Sequence, residues 1–144
     1  MEALQSLPND YWYAIAGKGD LKDELEKSDN TGRLKLLGFR TDIVDLLHSC
    51  DLFVFPSLQE GLPVALMEAM ASGLPVVCSR IRGIVDLMKD NNNSPCKPNC
   101  SNEFKLLILK YTSLKEENNN IDNAEVIKMF AQESVLEKMQ EIYS

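Results

Sequence analysis

The sequence predicts an α/β domain, three layers deep, built on a doubly wound parallel sheet. Three observations lead there. Compact apolar runs alternate with stretches of helical spacing. The apolar runs are continuous rather than alternating, as strands buried on both faces require. The connections between them are short, which suits right-handed crossovers.

Each element can be read in order. "YWYAIAG" (Tyr11 to Gly17) is the first strand and ends on glycine; a helix over Asp20 to Lys27 follows it. "RLKLLGF" (Arg33 to Phe39) is the second strand, followed by a helix over Thr41 to Cys50 with Thr41 or Asp42 as N-cap. "DLFVFPS" (Asp51 to Ser57) is the third strand, stopped by Pro56. The helix after it runs from Pro63 to Ser72. Proline suits its first turn, and Gly73 with Pro75 beyond marks its end. "PVVCS" (Pro75 to Ser79) is the fourth strand, with a helix over Gly83 to Lys89 after it. The remainder is a polar loop over Lys89 to Asn102, an amphipathic helix over Phe104 to Leu114, a polar break, and helical spacing from Ala124 to Tyr143. Residues 1–144 read as one domain.

Composition narrows the function. The chain is 44% hydrophobic and carries a net charge of −7. A field of that sign repels nucleic acid and anionic lipid, so neither is expected as a partner. No apolar run is long enough to span a bilayer, and membrane contact is expected to be at most peripheral. Of the four cysteines, Cys50 and Cys78 read as small core residues. Cys96 and Cys100 read as loop thiols, because no second Cys pair is present and the one histidine, His48, is far away in sequence. No metal is expected. Trp12, Tyr11 and Tyr13 read as core or edge packing of the first strand, His48 as packed on its own helix, and Glu133 to Glu141 as a solvated face.

Ligands of such sheets bind beyond the carboxyl ends of the strands. Candidate residues are therefore Gly17 to Gly19, Gly38 to Arg40, Ser57 to Pro63 and Ser79 to Gly83. The stretch "SLQEGLPVALMEAMASGLPVV" (Ser57 to Val77) carries the most information. Backbone N–H groups of Leu62, Val64, Ala65 and Leu66 at the head of its helix, with the helix dipole, offer a site for a diphosphate. Gly61 allows close backbone approach. Glu60 precedes that site. Glu68 lies about 7 to 8 Å along the helix from Pro63, at ~1.5 Å per residue. Two acceptor-only carboxylates flanking a phosphate site suit a ligand with hydroxyls on both sides of its phosphates, such as a nucleotide-sugar.

The same residues resemble the E-x7-E signature of the retaining glycosyltransferases with the GT-B fold, glycosyltransferase family four. The pattern is Pro56-Ser57, Glu60-Gly61-Leu62-Pro63, Glu68-Ala69-Met70-Ala71 and Gly73-Leu74-Pro75-Val76-Val77, with "LLGFRTDIVDLLHSCDLFVFPS" before it and "SRIRGIVDLM" after it. The resemblance implies one Rossmann-like half of a GT-B fold, the C-terminal, donor-binding half. It implies that Glu68 holds the donor ribose and that Glu60 contacts the transferred sugar as the catalytic residue. It implies that Gly61, Leu62, Pro63 and Val64 bind sugar hydroxyls, and that Val64, Ala65 and Leu66 bind the diphosphate. Gly38, Phe39 and Arg40 would border the base, and Gly17 and Gly19 would line the cleft. The implied activity is sugar transfer from a UDP- or GDP-sugar to a glycan or lipid-linked glycan in cell-surface polysaccharide assembly, in the cytoplasm or at the inner face of the membrane. No cofactor is implied beyond the nucleotide-sugar substrate.

The chain departs from the family in carrying no Arg and Lys pair on an opening strand and no acceptor-binding half. The sequence alone therefore suggests a domain shortened at its N-terminal edge, by truncation or by a split gene. The isolated chain is then expected to be inactive. Two other readings stand beside this one: a non-catalytic donor-binding module needing a partner chain, and a sugar-nucleotide epimerase on the same scaffold. A receiver-type signalling domain would need an acidic cluster after the first strand, where "AGKGD" stands.

Overall fold

The computed structural model describes residues 1–88 and 95–116. The helical spacing over Ala124 to Tyr143, the face from Glu133 to Glu141 and residues 89–94 of the polar loop lie outside the described residues.

The elements are α1 (Glu2–Gln5), β1 (Tyr13–Ala16), α2 (Lys22–Ser28), β2 (Leu34–Gly38), α3 (Ile43–His48), β3 (Phe53–Phe55), α4 (Val64–Ala71), β4 (Val76–Cys78), α5 (Arg82–Leu87) and α6 (Ser101–Glu116). Every strand is parallel to its partner, as alternation with helices requires. Tyr13 lies opposite Leu34 in the β1–β2 pair, and Phe53 lies opposite Val76 in the β3–β4 pair. Among the described residues the two pairs are separate two-stranded ladders rather than one continuous sheet.

The layers follow from the pleat. Val76 and Cys78 face one core with Leu47 of α3, Leu66, Ala69 and Met70 of α4, and Ile84 and Leu87 of α5. Val77, one residue out of phase, faces the opposite core with Leu7, Cys96, and Phe104, Ile108 and Tyr111 of α6. β4 is buried at all three positions, so its continuous apolarity has the expected cause. Helices on both faces of a parallel ladder make the three-layer, doubly wound arrangement.

α1 is fixed to the strands by a buried cation. Arg33, 5% exposed, donates from Nη1 to the Leu7 and Tyr11 carbonyls at 3.3 Å, also to that of Pro8, and from Nη2 to Leu4 at 3.4 Å. The Tyr13 ring lies 5.9 Å beneath its guanidinium, and the Tyr13 hydroxyl donates to the Leu4 carbonyl at 2.6 Å. Burial pushes the Tyr13 phenol above its usual range.

Four expectations are corrected. Cys96 is not a loop thiol. It forms a parallel bridge with Ser79, its N–H donates to the Cys78 carbonyl at 2.8 Å, and it is 1% exposed. Burial pushes its thiol up to about 11 and that of Cys78 to about 12. Trp12 is 62% exposed and carries Lys35 Nζ 5.0 Å over its ring, because it precedes the ladder rather than joining it. His48 is exposed on the last turn of α3 rather than packed. Asp42 occupies the N-cap position of α3, but its carboxylate accepts from Arg40 instead of capping.

Candidate nucleotide-sugar site

The head of α4 is built by its flanks. Pro63 is its N-cap residue and is fully buried. At the other end, Gly73 takes φ +75°. Its N–H donates to Met70 and the Leu74 N–H to Ala69, a Schellman cap that ends the helix as Gly-x-Pro predicts. Leu66, Ala69 and Met70 face the core, so Val64, Ala65 and Glu68 are left on the solvent side. Glu68 is thus exposed on the same face as the first turn and is not a misplaced core charge.

Glu60 is held rather than loose. Ser57 Oγ donates to Glu60 Oε1 at 2.7 Å, and the same oxygen lies 3.1 Å from the Gln59 carbonyl. Glu60 is half-buried, whereas Gly61, Leu62 and Val64 are exposed. The expected four open amides are reduced to two. The Val64 N–H donates to Leu62 at 2.9 Å and the Leu66 N–H to Pro63 at 3.0 Å, because the Pro63 turn closes on itself. Among the described residues, the amides of Leu62 and Ala65 donate to no backbone carbonyl and point the anion site toward those two.

A second group forms where β1 and β2 end. The Gly17 N–H donates to the Gly38 carbonyl at 2.7 Å, with φ of +141° and +67° at the two glycines. The Gly19 carbonyl accepts from Lys22 and starts α2. Phe39 is 67% exposed, and Lys18 Nζ sits 5.4 Å over its ring. Arg40 is ion-paired with Asp42, with both side chains partly exposed, and that hydrogen bond pulls the Asp42 carboxyl below its usual range.

The structure therefore brings Gly17 and Gly38 together, with Phe39 alongside, and separately brings Glu60, Ser57 and the α4 head together. No described hydrogen bond or ring contact joins the two groups. Three residues inside the candidate stretches gain roles that the sequence did not assign them. Lys18 places a cation over Phe39 at the tip of β1. Ser57 tethers Glu60. Gly83 of α5 backs on the Glu60 and Gly61 carbonyls. A hollow of about 300 Å³ lies elsewhere, between α2 and β2, lined by Glu26, Asp29 and Leu34 to Leu37, and includes none of the candidate residues. Among the described residues, no three His, Cys, Asp or Glu side chains gather as a metal site requires. No described helix is long and apolar enough to cross a membrane.

The sequence profile of glycosyl transferases group 1 matches residues 1–112. The chain is 42% identical over 83 residues to the UDP-Gal:alpha-D-GlcNAc-diphosphoundecaprenol alpha-1,3-galactosyltransferase of Escherichia coli, covering 54% of this chain and 21% of that protein. It is 45% identical over 91 residues to the amylovoran biosynthesis glycosyltransferase AmsK of Erwinia amylovora, covering 55% of this chain and 22% of that protein. Among solved structures it is similar to a mutant of S. aureus TarM in complex with fondaparinux, alpha-GlcNAc-glycerol and UDP. There the TM-score is 0.75 at 27% identity, over 99% of this chain and 31% of that one. The chain thus spans about a fifth of the length of these bacterial relatives.

Proposed function

Since the chain belongs to the glycosyl transferases group 1 family, we propose that it is the donor-binding domain of a retaining glycosyltransferase that moves a sugar from a UDP- or GDP-sugar to a glycan or lipid-linked glycan. The observation that carries this reading is the α4 head. A tethered carboxylate, Glu60, precedes two open amides, and a second carboxylate, Glu68, stands on the exposed face beyond them. The named biosynthetic relatives and the UDP in the TarM complex support the ligand class.

In this reading Glu68 accepts hydrogen bonds from the ribose hydroxyls. The Leu62 and Ala65 amides and the dipole of α4 receive the diphosphate, with exposed Val64 supplying shape rather than a donor and Leu66, wholly buried, contacting none of it. Gly61 and Leu62 line the sugar, while Pro63, expected to do so, is fully buried and fixes the turn beneath them. Gly17, Gly19, Gly38, Phe39 and Arg40 border the base. As the bond from sugar to diphosphate breaks, negative charge grows on the terminal phosphate. Preorganised amides meet that charge without reorienting, so no metal is assigned. Glu60 orients the sugar and offsets positive charge on its ring. The acceptor is assigned to the portion of the longer protein that this chain does not span, and the reaction to the cytoplasmic face of the membrane.

Titration of UDP, GDP and their sugars into the chain by calorimetry tests the reading. One nucleotide family should bind, and Glu68→Gln should weaken it about tenfold, the loss of one charge-assisted pair of hydrogen bonds. Equal affinity in Glu68→Gln, or no binding to the unaltered chain, refutes it. In a full-length parent, Glu60→Gln should depress turnover while sparing UDP binding.

A further inference from the structure

We propose that Gly83 is a positioning residue for the sugar-contacting loop: its missing side chain fixes where the Glu60–Gly61 backbone lies. The proposal rests on the donor-site reading for its consequence and on sterics for its premise. A Cβ at Gly83 would stand 2.7 Å from the Gly61 carbonyl oxygen and 2.9 Å from that of Glu60, against the 3.4 Å at which ordinary contact begins. Both neighbours are main-chain atoms, so the strain cannot be relieved by turning a side chain.

The seven glycines of the chain separate cleanly on this point. The other six meet nothing within 4 Å of such an atom. Four of those, Gly17, Gly32, Gly38 and Gly73, take positive φ and are needed for conformation. Gly83 does not. It lies inside α5, where alanine is the better helix former, so space rather than flexibility is what glycine supplies there.

The loop, not the helix, would have to yield. Ile84, Leu87 and Met88 bury α5 in the same core as Leu66 and Met70 of α4, with Ile84 wholly buried. The Gly61 side of the loop faces open space. Adding a methyl at Gly83 therefore lifts the Glu60–Gly61 carbonyls by roughly 0.7 Å. Glu60 moves with them, against its tether to Ser57. Glu68, in the second turn of α4 and exposed, meets no clash from Gly83.

The experiment compares the unaltered chain, Gly83→Ala and Val85→Ala, a half-exposed neighbour on α5. Each is titrated with UDP, GDP and the corresponding glucose and N-acetylglucosamine conjugates, and backbone amide spectra are recorded. Gly83→Ala should shift the amides of Glu60, Gly61, Leu62 and Val64. It should weaken binding of the nucleoside diphosphate as well, because the Leu62 N–H shares the Gly61 peptide plane, yet cost the nucleotide-sugar at least fivefold more. Val85→Ala should do neither. A preference unchanged in Gly83→Ala, or losses of diphosphate and sugar-nucleotide affinity in equal measure, overturns the proposal. If the unaltered chain binds none of the ligands, the donor-site reading falls by itself, and still amides at those four residues in Gly83→Ala then overturn the steric premise. Should Gly83→Ala not fold, amides 82–85 of the unaltered chain must shift with the nucleotide-sugar and not with the diphosphate, and their silence overturns the proposal.

Discussion

Arg33→Met should lower the thermal unfolding midpoint by roughly 10 °C. The guanidinium serves four carbonyls, but not all would be orphaned. Leu4 keeps the Tyr13 hydroxyl and the Leu7 N–H, and Pro8 keeps the Tyr11 N–H at 3.3 Å. The Leu7 and Tyr11 carbonyls have no other described donor. Two orphaned acceptors cost about 1–3 kcal/mol each. The 3.3 Å contacts place them at the low end, and removing a buried cation returns part of its desolvation cost. A net loss of about 2–3 kcal/mol remains, and at about 4 °C per kcal/mol for a domain of this size that gives the stated shift. Near-ultraviolet circular dichroism and calorimetry should agree on it if unfolding is two-state. Arg33→Lys should recover only part, since one ammonium cannot reproduce the guanidinium fork that spans the C-terminal end of α1 and the start of β1. A midpoint within 2 °C of the unaltered chain would refute the reasoning. It would mean that the cation's burial cost cancels its bonds and that α1 is held by the Tyr13–Leu4 hydrogen bond and the packing of Ala3, Leu4 and Leu7.

Ser57→Ala should weaken nucleotide-sugar binding about threefold to tenfold in calorimetry while leaving UDP affinity alone, because it unties Glu60 and nothing on the α4 helix. Acid should reveal Asp29: hydrogen bonds from Thr31 and Leu34 hold its carboxyl at about 2, below its unfolded value. Its contribution is complete above about pH 4 and lost as pH falls through about 2, so urea midpoints of Asp29→Asn should vary less over that window. Cys78 and Cys96, buried with thiols raised to about 12 and 11, should resist iodoacetamide at pH 8 in the folded chain, and half-exposed Cys50 and Cys100 should label before them by mass spectrometry.

What was legible in the sequence was local. Val76 to Cys78 announces itself as a doubly buried strand because apolarity without alternation has few other uses; Phe53 to Phe55 is half-buried throughout, and Ala14 to Ala16 of β1, expected to be buried on both faces, are exposed. The ends of α4 were fixed by Pro63 and Gly73, whose backbone constraints act within a turn. The same local chemistry made Glu60 and Glu68 visible as charges that the core did not need. What was missed depends on contacts distant in sequence. Cys96 is buried because its backbone completes a bridge to Ser79, and "SPCKPNC" carries no apolar run that would signal it. Arg33 looks like an ordinary strand-start cation until α1 folds over it. Gly83 differs from any helical glycine only through a loop more than twenty residues upstream. The Val64 and Leu66 amides were expected to be open because helix starts usually leave them so, and the tight Pro63 turn closes both.

The break between the β1–β2 and β3–β4 ladders bears on cooperativity. Tyr11 and Tyr13 reach the core of α6 and β4 through side chains, with the Tyr11 hydroxyl 2.6 Å from Thr112, but among the described residues no backbone ladder crosses. The β1–β2 unit can therefore open on its own, and its amides should exchange well before those of β4 and α4. A ligand spanning the glycine loops of the first unit and the α4 head of the second would act as a clamp. Slowed exchange at Ala14 to Ala16 would then report occupancy of a site whose carboxylates lie on the other unit.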